Sequence, residues 1–311
     1  MSDAVAILGT GKMGSAIAAR LSEAGFEVTL WNRTRSRAAA LGLGTVAATP
    51  ADAARDAAIV VSSLTGPEAV LAAYLGPDGA LAGGAGKRFV EMSTAGPDLV
   101  ADLAAHVAAA GGTLVDAPIL GAPPLVRAGK AAILVGGTDE AVAVVSPVLT
   151  ALGTVRHVGP VGSAARLKLV ANSMLADVFL AAAELQVAGE SAGLDPDDLF
   201  WVLKRFVPAL EARRPGYLEG RYEPPQFALR DLRKDLDLAV DLFGTSNATT
   251  PLTRWSRDLV TLAAEMTPDL DISAVVLPYR HTVATSPADD PTVDALAGNA
   301  GPSQRAGGHR L

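Results

Sequence analysis

For about thirty residues, from position 163 to 193, the sequence keeps a helical, mostly apolar pattern, interrupted by Lys168, Asn172, Asp177 and the region of Glu184 and Glu190. A helix of that length spans roughly 45 Å. An apolar surface on most of its sides needs cover from more than one direction. The pattern therefore predicts an interdomain helix, partly buried by a second subunit.

Upstream of that helix, short apolar runs alternate with alanine-rich helical stretches. Strands are predicted at 5–8, 28–30, 58–62, 89–92, 113–117 and 131–135, and helices at 36–42, 51–56, 67–75, 97–110 and 139–151. Strands that alternate with helices predict a parallel sheet covered on both faces. After Val158 the alternation stops. From Asp195 to about Ala284 the chain reads as helices broken by Pro208, Pro215, Pro224-Pro225 and Pro251, and 286–311, rich in Ala, Gly, Pro and Asp, reads as a disordered tail.

The first strand runs directly into Gly9-Thr10-Gly11-Lys12-Met13-Gly14 and then a helix. In that context the three glycines have separate tasks: a tight turn, close approach of the backbone to a pyrophosphate, and close packing of helix on strand. The helix N-terminus favours the phosphate charge. The second strand ends in Leu30-Trp31-Asn32-Arg33-Thr34-Arg35, where a site for NAD(H) usually presents a carboxylate to the ribose. A guanidinium with small polar groups suits a 2′-phosphate instead. NADP(H) is thus favoured over NAD(H), with use of NAD(H) left open.

Within the long helix, Lys168 and Asn172 lie four residues apart, on one helix face. An ammonium donor and a carboxamide then point into the same space, which suits proton transfer.

The net charge of −7, with scattered basic residues, argues against a nucleic-acid surface. Cysteine is absent, which excludes disulfides and thiolate chemistry. The four histidines, His106, His157, His281 and His309, show no ligand spacing, so no metal is expected. The strand pattern begins right after Met1-Ser2-Asp3, and no apolar run reads as both long and uncharged enough to span a bilayer. A soluble cytoplasmic protein acting on a small molecule, with neither membrane nor nucleic acid as partner, is expected.

Five motifs in order resemble the β-hydroxyacid dehydrogenase family, which includes 3-hydroxyisobutyrate dehydrogenases and glyoxylate/succinic semialdehyde reductases. They are 9–14, Glu91-Met92-Ser93-Thr94-Ala95-Gly96-Pro97, Asp116-Ala117-Pro118-Ile119-Leu120-Gly121-Ala122, Gly162 with Lys168 and Asn172, and Lys234-Asp235-Leu236-Asp237-Leu238-Ala239. The resemblance covers about residues 4 to 285. It implies a Rossmann dinucleotide-binding domain (1–162), a doubly wound parallel sheet, joined by the long helix to an all-helical substrate and dimerisation domain (163–285), with the tail at 286–311. It also implies a homodimer or higher homo-oligomer formed through the helical domain.

By the same resemblance Lys168 is the catalytic acid/base and Asn172 orients the substrate. Ser93 and Thr94 lie beside the nicotinamide, with Thr94 touching the cofactor. Leu64 and Thr65 follow the dinucleotide, Lys234 approaches the cofactor, and Phe227 and Asp235 wall the substrate pocket. The chain departs from the family at Leu120-Gly121-Ala122, where Ser-Gly-Gly is common, so a hydroxyl for the substrate carboxylate is replaced by an apolar side chain. It departs again at Ala171, where the first of two asparagines is often found.

The resemblance implies hydride transfer between nicotinamide and a small β-hydroxy acid or its semialdehyde. An imine reductase acting on C=N bonds is the alternative that the altered loop leaves open, although such enzymes generally replace the lysine. A cofactor-binding scaffold without turnover is the other, found where family members have lost it.

Overall fold

A computed structural model describes residues 4–284; the expected tail at 286–311 lies outside the described residues. Nine strands form one sheet: β1 (Ala4–Leu8), β2 (Glu27–Trp31), β3 (Thr45–Val46), β4 (Ile59–Ser62), β5 (Arg88–Glu91), β6 (Thr113–Asp116), β7 (Ile119–Leu120), β8 (Ala131–Gly136) and β9 (Gly153–Gly159). Their order is β3-β2-β1-β4-β5-β6-β8-β7, with β9 on the other side of β8. The first six are parallel, as expected. At β8 the direction reverses against β6, and β9 then runs parallel to β8.

Parallel strands need helical cover on both faces, so their residues are apolar without alternation. In β1, Val5 and Ile7 join one core with Ile17 and Leu21 of helix Lys12–Glu23, while Ala6 and Leu8 join the opposite core with Tyr74, Val100 and Leu103. Strands β3, β7 and β9 escape the sequence reading. β3 and β7 have two residues each, and β9 has no fully buried residue, so none carries the apolar run that marks a buried strand.

The long helix is Ser163–Ser191. Ala165 near its start belongs to the sheet domain's core, whereas Ala176, Phe179, Leu180, Ala183 and Val187 form the centre of a separate helical core. Helices Leu229–Thr245 and Pro251–Met266 pack along it. The prolines expected to break helices instead start them: Pro208, Pro215 and Pro251 fall in first turns, where the missing N–H costs nothing.

One expectation is corrected. By length and composition the long helix is apolar enough to cross a membrane, in a stretch that begins after Lys168 and carries only Asp177 and Glu184 as charged residues. Half of that apolar window is buried within the chain, because the helix is the shared core of two domains.

Candidate active site

The reversal of strand order between β1 and β4 opens a crevice at their C-terminal ends, where open α/β sheets bind ligands. The loops after β1, β2, β4 and β5 meet there. Gly9 has φ +96°, and a Cβ on it would strike the Ser63 carbonyl; a Cβ on Gly14 would strike the Gly9 carbonyl. These two glycines are required by the chain's own packing. Gly11 differs, since a Cβ there would meet no atom within 4 Å. The Thr10 amide donates to Asn32 Oδ1 (3.1 Å), and Asn32 Nδ2 donates to the Thr34 carbonyl (2.9 Å), tying the glycine loop to the end of β2. Thr10 Oγ1 is buried without a hydrogen-bond partner. An open backbone approach at Gly11 beside an orphaned buried hydroxyl fits a dinucleotide's phosphates.

Arg33 and Thr34 are exposed at the rim of this crevice. Lys12 and Met13 open the helix; Met13 packs against the sheet core. Burial lowers the Lys12 pKa, and the carboxylates of Asp231 and Asp271 across the domain junction oppose that shift.

The loops after β4 and β5 are held by a buried polar network. Glu91, at the end of β5, accepts from the Ser93 amide (2.7 Å) and from Ser62 Oγ (2.5 Å), which also pairs with Tyr74 Oη (2.6 Å). The Ser93 hydroxyl accepts from the Leu64 amide (2.8 Å). Ser93 thus occupies the expected loop with its acceptor engaged in holding Leu64; Leu64 packs on the core and Thr65 is exposed. Burial pushes the Glu91 carboxyl upward, against the hydrogen bonds from Ser62 and Ser93. Removing it strands two buried donors, so Glu91→Ala is expected to lower the unfolding free energy by about 2–3 kcal/mol, measured by denaturant titration.

The helical domain meets these loops through helix Leu229–Thr245. Lys234 Nζ donates to the Thr94 carbonyl (2.7 Å) and to Asp235 Oδ1 (2.5 Å). Its stem passes Gly66, where a Cβ would come within 3.2 Å of Lys234 Cδ. Asp235 Oδ2 accepts from Asn172 Nδ2 (2.5 Å). Lys168, one turn before Asn172, donates from Nζ to the Ile119 carbonyl (2.8 Å). Burial lowers the Lys168 pKa and Lys234 lowers it further, while Asp235 raises it. Burial raises the Asp235 carboxyl, against Lys234, Lys168 and Asn172.

Thr94, Lys168, Asn172, Lys234 and Asp235 therefore converge. Leu120 and Gly121 follow Ile119 directly, with Gly121 at φ +144°, and Ala122 caps helix Pro123–Arg127. Phe227 is half-buried: it packs against the helical core, and its amide donates to Asp271 Oδ2 (3.2 Å). The sequence reading gave no role to Glu91, Asp116 or the Ile119 carbonyl. For the two acids a signal existed, a lone carboxylate ending an apolar strand.

Residues 4–162 match the family described as the NAD binding domain of 6-phosphogluconate dehydrogenase, and residues 162–279 that described as NAD-binding of NADP-dependent 3-hydroxyisobutyrate dehydrogenase. The chain is 34% identical over 300 residues to a 3-hydroxyisobutyrate dehydrogenase of Pseudomonas aeruginosa, covering 89% of this chain and 98% of that one. It is 32% identical over 290 residues to the cytokine-like nuclear factor N-PAC of Xenopus tropicalis, covering 89% of this chain and 53% of that one. The chain thus spans about half the length of the N-PAC relatives it matches. Among solved structures, a 3-hydroxyisobutyrate dehydrogenase of Mycobacterium tuberculosis with L-serine is similar at a TM-score of 0.78 and 28% identity, covering 92% of this chain and 100% of that one.

Proposed function

The chain belongs to the β-hydroxyacid dehydrogenase family, with 3-hydroxyisobutyrate dehydrogenases among its relatives, and from that premise we propose that it is an NADP(H)-dependent oxidoreductase acting on a small β-hydroxy acid or the corresponding semialdehyde. The observation that carries this reading is Lys168, half-buried at the domain junction and sharing Asp235 with Asn172 and Lys234.

Gly9, Gly11, Gly14, Thr10 and the rim residues Asn32 to Thr34 would hold the dinucleotide, with Thr94 and Lys234 at its far end. When bound, NADP(H) supplies the hydride that the carbonyl carbon accepts. Lys168, as the ammonium, gives its proton to the oxygen of that carbonyl and is left as the amine; in oxidation the amine takes the hydroxyl proton. Asn172 has one amide hydrogen committed to Asp235, which leaves its carbonyl and its second N–H for substrate or ammonium.

The test is oxidation of NADPH and of NADH by the chain with glyoxylate, succinic semialdehyde, the semialdehyde of 3-hydroxyisobutyrate and a cyclic imine. Turnover of an aldehyde acid supports the proposal. Turnover of the imine alone makes the chain an imine reductase, and absence of turnover with all of them makes it a binding scaffold. For the cofactor, Arg33→Ala is expected to weaken NADPH at least about tenfold, the weight of one charge-assisted hydrogen bond, and to leave NADH nearly unchanged in fluorescence titrations. Equal losses would remove Arg33 as the reader of the 2′-phosphate.

The functional unit is a homodimer or a higher assembly of this chain. Leu167, Val170 and Met174 (61% exposed) form an apolar stripe on the long helix, and Trp255 (60%) and Phe206 (83%) lie exposed on the same domain. Exposed apolar surface on that scale marks association. Sedimentation is expected to give at least a dimer, and Met174→Glu with Val170→Glu to give monomers; a wild-type monomer would overturn this.

A further inference from the structure

Asp116 is buried at the end of β6. Its two carboxylate oxygens accept from the amides of Gly162 and Ala165, each at 2.8 Å. Those amides belong to the start of the long helix, whose own N-cap, Gly162 at φ +89°, has no side chain to offer. A helix start leaves four N–H groups without intrahelical partners, and here a strand supplies the acceptor and places a negative charge at the positive end of the helix. No Lys or Arg side chain bonds to Asp116 among the described residues, so backbone N–H groups are what hold the charge. Behind it the space is closed, since a Cβ on Gly136 would strike Asp116 Oδ1.

Three residues further along the same segment, the Ile119 carbonyl accepts from Lys168 Nζ. Residues 116–119 therefore grip the helix twice, at its first turn and at the ammonium one turn on. We infer that Asp116 is a positioning residue for Lys168: by capping the long helix from β6 it fixes the helix's axial and rotational setting, and with it the place of Nζ. This rests on the reading of Lys168 as the acid/base.

The experiment compares Asp116→Asn, Asp116→Glu and Lys168→Ala in the full chain by kcat, NADPH affinity, the pH profile of kcat and thermal melting. Asn keeps one acceptor oxygen but turns an N–H toward an amide donor and loses the charge. Its kcat is expected to fall about tenfold to a hundredfold, the scale of an ångström's misplacement, with NADPH affinity within about twofold of wild type. The basic limb of reduction is expected to stay near its wild-type position, because the charges that act on Lys168 are Asp235 and Lys234 and not Asp116. Asp235, Lys234, Asn172 and the Ile119 carbonyl face Lys168, and the substitution leaves them in place.

Asp116→Glu keeps the charge but displaces the oxygens by a methylene. It is expected to lower kcat with the limb unmoved, and it carries the test if the Asn variant fails to fold. Wild-type kcat in either variant overturns the inference, as does an Asn variant whose only change is a lower melting temperature. Near-normal kcat in Lys168→Ala would instead sink the reading of Lys168, which separates the two failures.

Discussion

Lys168→Ala is expected to lower kcat at least about a hundredfold, the usual weight of one general acid/base, while NADPH affinity stays near wild type. The second half follows from placement: Lys168 bonds to the Ile119 carbonyl and faces Asp235, and neither lies on the glycine loop. The pH dependence is a sharper check. Lys168 is half-buried, and burial together with Lys234 moves its pKa below the ordinary lysine value, with Asp235 opposing. Reduction needs the ammonium, so its kcat holds at low pH and falls as pH rises through the lowered pKa. Oxidation needs the amine, so its kcat rises through the same pKa. Both limbs should vanish in the variant. Stability separates chemistry from unfolding, because a base whose folded pKa is depressed destabilises the fold increasingly as pH drops below its unfolded value. Lys168→Met is therefore expected to melt no lower than wild type at neutral pH. A methionine variant that loses activity and melts much lower would make Lys168 a structural residue.

The sheet domain was readable because its physics is local. A parallel strand buried on both faces must be a run such as Val5 to Leu8, and a phosphate-binding turn must place glycine at 9, 11 and 14. Where burial is one-sided or the strand is two residues long, as at β7 and β9, the local signal fades and pairing partners decide. The spacing of Lys168 and Asn172 put them on one helix face, but the carboxylate they share comes from 63 residues beyond Asn172. A contact of that kind follows from helix packing, which no local pattern encodes. Phe227 is half-buried, and its amide bonds to the carboxylate of Asp271, 44 residues away, a contact that no local pattern encodes either. The buried acids Glu91 and Asp116 were visible as anomalies, carboxylates in apolar context, and only the fold shows that they bond to backbone amides of loops and a helix start.

Two alanine substitutions within one motif are expected to fail in opposite ways. At Gly14 a methyl group would strike the backbone carbonyl of Gly9. Neither partner is the end of a flexible side chain, so helix Lys12–Glu23 would have to move off β1 and disturb the core around Ile17 and Leu21. Close-packed interiors resist such shifts at a cost of about 1–3 kcal/mol or more. Gly14→Ala is thus expected to melt well below wild type even without cofactor. At Gly11 the backbone is at φ −68° and ψ −170°, an extended conformation open to any residue, and the methyl meets no protein atom within 4 Å. By reducing the freedom of the unfolded chain, Gly11→Ala should leave the melting temperature unchanged or raise it slightly, with a gain of at most about 1 kcal/mol. Its methyl would point into the space the phosphates need, so NADPH affinity should fall steeply and the thermal stabilisation by added NADPH should disappear. Both variants are checked by melting with and without NADPH. If Gly11→Ala kept wild-type affinity, the glycine turn would be a packing device alone, and the dinucleotide would have to lie elsewhere in the crevice.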